Sequence, residues 1–224
     1  MGQGYFVTGT DTGVGKTTVS CTLLRTFTAQ GRKVVGMKPV VAGSENGRWY
    51  DVEQLIAASN IRADREYVNP YAFHPPISPH IAAQQAGVEI DLAMIQHAYQ
   101  SLSRQADIVI VEGAGGFLAP LNARQTGADL ARALNLPVIL VVGMRLGCLN
   151  HALLTAQAIR AAGLPLAGWV ANCIDSQMLV LEENISTLEQ RLEGSLLGVM
   201  TFTNEVGSQQ QSGLLNLTKL ELKD

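Results

Sequence analysis

Several things are scarce in this sequence, and each scarcity excludes something. Cysteines number three, Cys21, Cys148 and Cys173. They are odd in number and widely spaced, which excludes a disulfide framework and a cysteine-based metal cluster. Charged residues make up 16% of the chain, with 16 Lys+Arg against 19 Asp+Glu and a formal net charge of −3. That mild acidity, with no basic run, argues against a nucleic-acid partner. No run of about 18 apolar residues occurs, so a membrane span is not expected. Met1-Gly2-Gln3-Gly4 places no basic region ahead of an apolar core, which argues against export and for a reduced, cytoplasmic setting. What is plentiful is apolar surface: 47% of the 224 residues are hydrophobic, and 22 are glycine. Such a chain is too apolar for disorder, and its length suits one α/β domain spanning 1–224.

Short apolar runs alternate with stretches of helical period. Tyr5 to Thr8, Val34 to Met37, Asp107 to Val111, Pro137 to Val142, Leu166 to Ala171 and Leu196 to Met200 read as strands. None alternates polar and apolar residues, as expected of parallel strands covered on both faces. Helical patterns fall near Lys16–Gln30, Asp91–Gln105, Gly127–Leu134, Asn150–Ala162 and Leu179–Leu192. Gly31 and Gly163 fall where glycine ends a helix. The order predicts an α/β fold with a mostly parallel sheet, helices on both faces and right-handed crossovers. Asn69 to Pro79 holds four of the eight prolines and reads as an ordered insertion. Ser208 to Ser212 reads as a mobile loop.

The sharpest motif runs from Thr8 to Thr18 and contains Gly13-Val14-Gly15-Lys16-Thr17-Thr18 between the first strand and the first helix. Glycines let successive backbone N–H groups turn inward onto phosphate oxygens, and the helix N-terminus adds its dipole. Lys16 then reaches the β- and γ-phosphates, and the Thr17 hydroxyl serves Mg²⁺. Gly9 stands six residues before Gly15, so the loop is one residue longer than the usual P-loop. ATP and Mg²⁺ are the expected cofactors of a P-loop NTPase-like fold. The second motif is Glu112-Gly113-Ala114-Gly115 at the end of a buried strand, where such proteins hold the metal. A buried unpaired carboxylate is costly, and a cation offsets that cost. The third is Lys38-Pro39-Val40, at the end of the second strand. Lysines number five, none falls between Lys38 and Lys219, and strand ends in open α/β sheets converge on the ligand crevice. Lys16 and Lys38 therefore face one pocket in this reading. His80, His151, Cys148 and Trp169 read as surface or structural residues.

With these residues in view, the chain resembles the ATP-dependent dethiobiotin synthetases. The resemblance is carried by Tyr5-Phe-Val-Thr-Gly-Thr-Asp-Thr12 with Gly15-Lys-Thr17, by Lys38-Pro-Val40, and by Val68-Asn-Pro-Tyr71. Ser78-Pro-His80, Val111-Glu-Gly-Ala-Gly-Gly116, Leu146-Gly-Cys-Leu-Asn-His151 and Gly168-Trp-Val-Ala-Asn172 complete it. It implies that 7,8-diaminononanoate takes up CO₂ as a carbamate, that MgATP phosphorylates the carbamate, and that the second amine closes a ureido ring. It further implies that Thr12, Lys16 and Lys38 act on the carbamate and the γ-phosphate. Thr17, Asp51 and Glu112 would surround the metal, and Asn172 would bond the adenine. The nucleotide segment would extend over Cys173 and Thr201-Phe202-Thr203. Ala42 would face the substrate, and Gly147, Cys148 and Asn150 would meet its tail carboxylate from a partner subunit, implying a homodimer.

The chain departs from the family at particular positions. Val41-Ala42-Gly43 stands where a serine is usual, leaving Ser44 as the nearest hydroxyl. Gly13 replaces a larger acidic residue of some members. Thr201-Phe202-Thr203 replaces a Pro-Trp-type segment, and Asn184 stands where a tyrosine is expected. Two alternatives stay open: a related P-loop ligase for another diamine or carboxylate, and a nucleotide-switched ATPase that binds a partner protein. Positions 10 to 14 lack the extra lysine of such switches.

Overall fold

In chain order the strands are β1 (Gln3–Gly9), β2 (Val34–Met37), β3 (Val40–Ala42), β4 (Tyr71–Phe73), β5 (Ile108–Gly116), β6 (Val138–Met144), β7 (Leu166–Cys173) and β8 (Ser195–Met200). The helices are α1 (Lys16–Ala29), α2 (Tyr50–Ala58), α3 (Arg65–Val68), α4 (Pro79–Gln85), α5 (Leu92–Ser103), α6 (Gly127–Leu134), α7 (Cys148–Ala161) and α8 (Leu181–Arg191). The structure is a computed structural model that describes residues 2–202 and 215–220. The expected loop over 208–212 lies outside the described residues, as does Thr203.

Six strands form one parallel sheet in the order β2-β5-β1-β6-β7-β8. The absence of alternation in these strands has a direct packing cause. On β5, Val109 and Val111 belong to one apolar cluster while Ile108 and Ile110 belong to another on the opposite face. Both clusters are shut off from water, so both side-chain sets of the strand must be apolar. One cluster takes Leu23, Leu24 and Phe27 from α1, all fully buried. The other takes Ile95 and Leu102 from α5 with Leu130 and Ala131 from α6. Each such large side chain contributes about 1.5–3 kcal/mol by leaving water. A third cluster joins Leu140, Val142 and Trp169 to Cys148, Ile185 and Leu188, tying α7 and α8 to the far half of the sheet.

After β2 the chain leaves the main sheet and builds an insertion larger than the proline-rich stretch that marks it. β3 and β4 pair in parallel as a second, two-stranded sheet, with α2 and α3 between them. Asn69 pins this unit: its buried side-chain amide donates to the Lys38 carbonyl at 2.6 Å and to the Tyr71 carbonyl at 3.0 Å. Trp49 adds an indole N–H donated to the Phe73 carbonyl at 2.9 Å. The insertion thus starts at Lys38 and hangs over the carboxyl ends of the main strands.

Candidate active site

β1 ends at Gly9 and α1 begins at Lys16, so the loop between them lies at the carboxyl edge of the sheet. Gly15 takes the N-cap position of α1 at φ +87°, and no side chain caps the helix. The first N–H groups of α1 therefore lack an intrahelical or capping partner and face outward as anion donors. The loop is braced from both sides. Asp11 accepts the Thr12 N–H at 2.7 Å and pairs with Arg145 at 2.8 Å. Asn172, at the end of β7, donates its amide to the Val14 carbonyl at 2.8 Å. Lys16 donates to the Asp11 carbonyl at 2.9 Å. Burial, and then the nearby charge of Lys38, push the Lys16 ammonium down to about 8.

Glu112 is the centre of the site. It lies midway along β5 opposite Val7 of β1 and is entirely buried. Its Oε1 accepts from the Lys38 ammonium at 2.6 Å and from the Thr17 hydroxyl at 2.9 Å. Lys38 also lies 3.0 Å from Asp51 Oδ2 and 3.3 Å from the Gly113 carbonyl oxygen. Burial alone would lower the Lys38 pKa, but the charges of Glu112 and Asp51 outweigh it and hold the value raised. For Asp51, burial would raise the pKa, yet Lys38 wins and the carboxyl sits below its ordinary value. This ion cluster is reached from a cleft of about 860 Å³ between the P-loop and the insertion.

The residues fit a divalent cation of the kind that arrives with a nucleotide. Glu112 Oε2 is buried without a hydrogen-bond partner, a lone pair set aimed at nothing in the chain. Thr17 Oγ1, Asp51 and Glu112 converge on one spot and are hard oxygen donors. Among the described residues no group of three His, Cys, Asp or Glu could hold a metal. Two carboxylates and a hydroxyl suit Mg²⁺, which takes one or two carboxylates and completes its shell with phosphate oxygens and water.

Of the residues expected from sequence, Thr12, Gly13, Gly15, Lys16, Thr17, Thr18, Lys38, Ala42, Asp51, Glu112, Ala114 and Gly115 all line the cleft. Val14 and Gly113 serve it through their carbonyls, as described. Asn172 braces the loop with its nitrogen, a use that sequence reasoning did not supply. Thr201 and Phe202 are exposed beyond the end of β8, and Cys173 is buried at the end of β7. Gly147, Cys148 and Asn150 open α7 and are not among the cleft residues of the same chain. Ser44 does not replace the missing serine, because its hydroxyl is engaged with His74 Nδ1 at 2.9 Å outside the cleft. Asn184 turns back on the carbonyl of Val180 at 2.8 Å. His80, read as a surface or satisfied residue, is half-buried with Nδ1 unpartnered. Sequence reasoning missed Gln54, one helical turn after Asp51, and Pro76 to Pro79 as cleft walls. The spacing of Asp51 and Gln54 on a helix was the available signal, hidden because Trp49 offers no side-chain cap to mark where α2 starts.

A parallel sheet with a phosphate loop after β1, a buried acid midway along its neighbour β5, which runs on to Gly116 past the expected end at Val111, and a lysine beside both defines a P-loop NTPase-fold enzyme. Residues 3–210 match the family described as AAA domain. Solved structures share the fold. A septum site-determining protein MinD complexed with Mg-ADP from Pyrococcus horikoshii has a TM-score of 0.58 at 15% identity, over 98% of this chain and 89% of that one. The signal recognition particle receptor FtsY of Elizabethkingia anophelis has a TM-score of 0.56 at 18% identity, over 98% of this chain and 64% of that one. Among curated relatives, the ATP-dependent dethiobiotin synthetase BioD of Nitrosospira multiformis is 61% identical over 98% of this chain and 97% of its own. The proteins of that name from Aromatoleum aromaticum and Cellvibrio japonicus are 54% and 48% identical, covering 88% and 97% of this chain and 90% and 97% of their own. The chain belongs to the ATP-dependent dethiobiotin synthetase family and is an enzyme of that family.

Proposed function

We propose that the protein closes the ureido ring of dethiobiotin from 7,8-diaminononanoate, CO₂ and MgATP, as one domain over 1–224. One observation carries the reading: Lys16, Lys38, Asp51 and Glu112 meet in a single cleft whose other wall is the insertion bearing Ala42. Phosphoryl transfer needs placement and charge neutralisation more than covalent help from the protein, and these groups supply both. One amine of the diamine adds to CO₂ and loses a proton, giving a carbamate. Lys38 and Thr12 orient its oxygens, while Lys16 and the uncapped first turn of α1 hold the phosphates. A carbamate oxygen attacks the γ-phosphorus and ADP leaves, forming a carbamic–phosphoric anhydride. The second amine then attacks the carbonyl carbon, phosphate departs, and the ring closes. Mg²⁺, held by Thr17, Asp51 and Glu112, supplies charge neutralisation on the phosphates. The nucleotide base lies towards Asn172, Cys173, Thr201 and Phe202; Thr203, expected with them, lies outside the described residues.

The substrate's tail carboxylate meets Gly147, Cys148 and Asn150 of a second subunit in a homodimer. Two features support this. Gly147 caps α7 in a left-handed conformation without a side-chain cap, leaving its first N–H groups for an anion. Leu146, just before it, is 96% exposed, and Leu154 projects from the same helix. The setting is cytoplasmic. Its support is that the three thiols are free and buried.

Phosphate release with MgATP and bicarbonate, measured with and without the diamine, tests the reading, with mass detection of the product. Diamine-dependent release with a product heavier by CO₂ less water is the expected result. Nucleotide binding without diamine-dependent turnover would redirect the search to other diamines and carboxylates.

A further inference from the structure

The candidate metal ligands converge on a lysine. Lys38 Nζ sits 2.6 Å from Glu112 Oε1 and 3.0 Å from Asp51 Oδ2, and the Thr17 hydroxyl donates to the same Glu112 oxygen at 2.9 Å. A divalent ion drawn to the unpartnered Glu112 Oε2 and to Asp51 would stand close to the ammonium that both carboxylates hold, in a buried, weakly screened place. Two cations there repel each other strongly. Lysine is suited to yield, being a point charge on a four-carbon stem with three rotatable donors. The Lys38 backbone, by contrast, is fixed, since its N–H donates to the Val68 carbonyl at 2.8 Å and its own carbonyl accepts from Asn69 at 2.6 Å. Only the side chain is left to move, and although it is buried it lines the cleft.

We propose that Lys38 is an internal stand-in cation: its ammonium fills the carboxylate cradle while no metal–nucleotide is bound, and it swings to the substrate side of the cleft when a divalent cation takes its place. The inference rests on the reading that Thr17, Asp51 and Glu112 hold the metal, and it adds an order to the reaction. Before the exchange Lys38 is neutralised by two carboxylates and has little attraction for an anionic substrate. After it, the ammonium is free of them and can take the carbamate. Binding of metal–nucleotide therefore precedes tight binding of the substrate anion. The cradle also refuses free divalent ions, because they must expel a paired ammonium without help from phosphate oxygens.

The test uses Mn²⁺ alone, titrated into nucleotide-free protein and followed by electron paramagnetic resonance. Lys38→Met is expected to bind Mn²⁺ at least tenfold more tightly than the wild type, and adding Glu112→Gln is expected to abolish the gain. A Lys38→Met protein that binds Mn²⁺ no better than wild type overturns the proposal. Should that variant not fold, wild type with ¹⁵N-labelled lysine answers the same question. With five lysines in the chain the ammonium spectrum is small. The Lys38 signal shifts on adding Mg²⁺ and ADP if the exchange occurs, and an unmoved signal overturns it. Mn²⁺–ADP binding by Glu112→Gln separates the two readings. If it matches wild type, the metal site itself is wrong. If it is lost while Lys38→Met shows no gain, only the stand-in role fails.

Discussion

Asn172 and Gly15 are in contact across the mouth of the site: a Cβ on Gly15 would collide with Asn172 Nδ2, the atom that donates to the Val14 carbonyl at 2.8 Å. The end of β7 thus sets the shape of a loop that belongs to β1. Gly15→Ala meets both this clash and a left-handed backbone at φ +87°, which alone costs about 1–2 kcal/mol for a residue with a Cβ. The expected outcome is a lower melting temperature and a loss of ATP affinity of more than tenfold, read by a fluorescent-nucleotide titration. An unchanged affinity would remove the constraint from the account.

Asn69 has no contact with the cleft, yet its truncation is expected to reach it. The Asn69 amide holds the Lys38 carbonyl at 2.6 Å, so Asn69→Ala leaves a buried acceptor without that donor. The stability loss is about 1–3 kcal/mol. A rise in KM for the diamine with a smaller change in kcat is the kinetic signature of a loosened insertion. A variant equal to wild type in both would show that β3 and β4 keep Lys38 in place unaided.

Lys16 gives a pH dependence whose sign can be worked out. Its ammonium lies at about 8 in the folded chain against 10.5 in the unfolded one. Between those values the unfolded chain binds more protons, so stability of the nucleotide-free protein rises with pH through that window. Lys16→Met is expected to lack this rise. Phosphate favours the charged form, so ATP binding takes up a proton above pH 8 and weakens by up to about tenfold per unit from there. Calorimetry in two buffers of different ionisation enthalpy measures the uptake directly.

Glu112→Gln removes the negative charge of a fully buried ion pair and leaves Lys38 with the half-exposed Asp51 as its only carboxylate partner. Breaking such a pair costs about 3–5 kcal/mol, on the order of 10 °C in melting temperature for a chain of this length. Metal-dependent nucleotide binding falls with it. Lys38→Ala shares the stability loss and loses ring closure, while ATP still binds through the P-loop. Equal loss of ATP binding and turnover in Lys38→Ala would contradict that division of labour.

The P-loop and Lys38 were legible in the sequence because each follows a strand whose apolar run is unbroken, and Glu112 because it ends such a run, although β5 itself continues to Gly116. The three-residue β3 and β4 were not, since so short a run carries no period. Asp51 was reached through the resemblance alone; α2 starts with Trp49 at its N-cap and no capping hydrogen bond, so nothing local marks the helix. The pairing of Lys38 with both acids was hidden for a different reason. With Glu112 it joins residues 74 positions apart, through an ion pair that only the assembled sheet creates.

The strand that carries the P-loop is also the one that must wait for its neighbours. β1 is made well before its neighbours: both of its sheet partners, β5 and β6, begin more than a hundred residues later, at Ile108 and Val138. At synthesis rates of about 5–20 residues per second, its apolar edges stand open for roughly 5–20 s before β5 exists to cover one of them. Closing a loop of that length is slow as well as late. The nascent chain is therefore most in need of a chaperone before the buried acid of the site has even been translated, and slowing translation between α1 and β5 should lower the yield of soluble enzyme more than the same pause placed after β6.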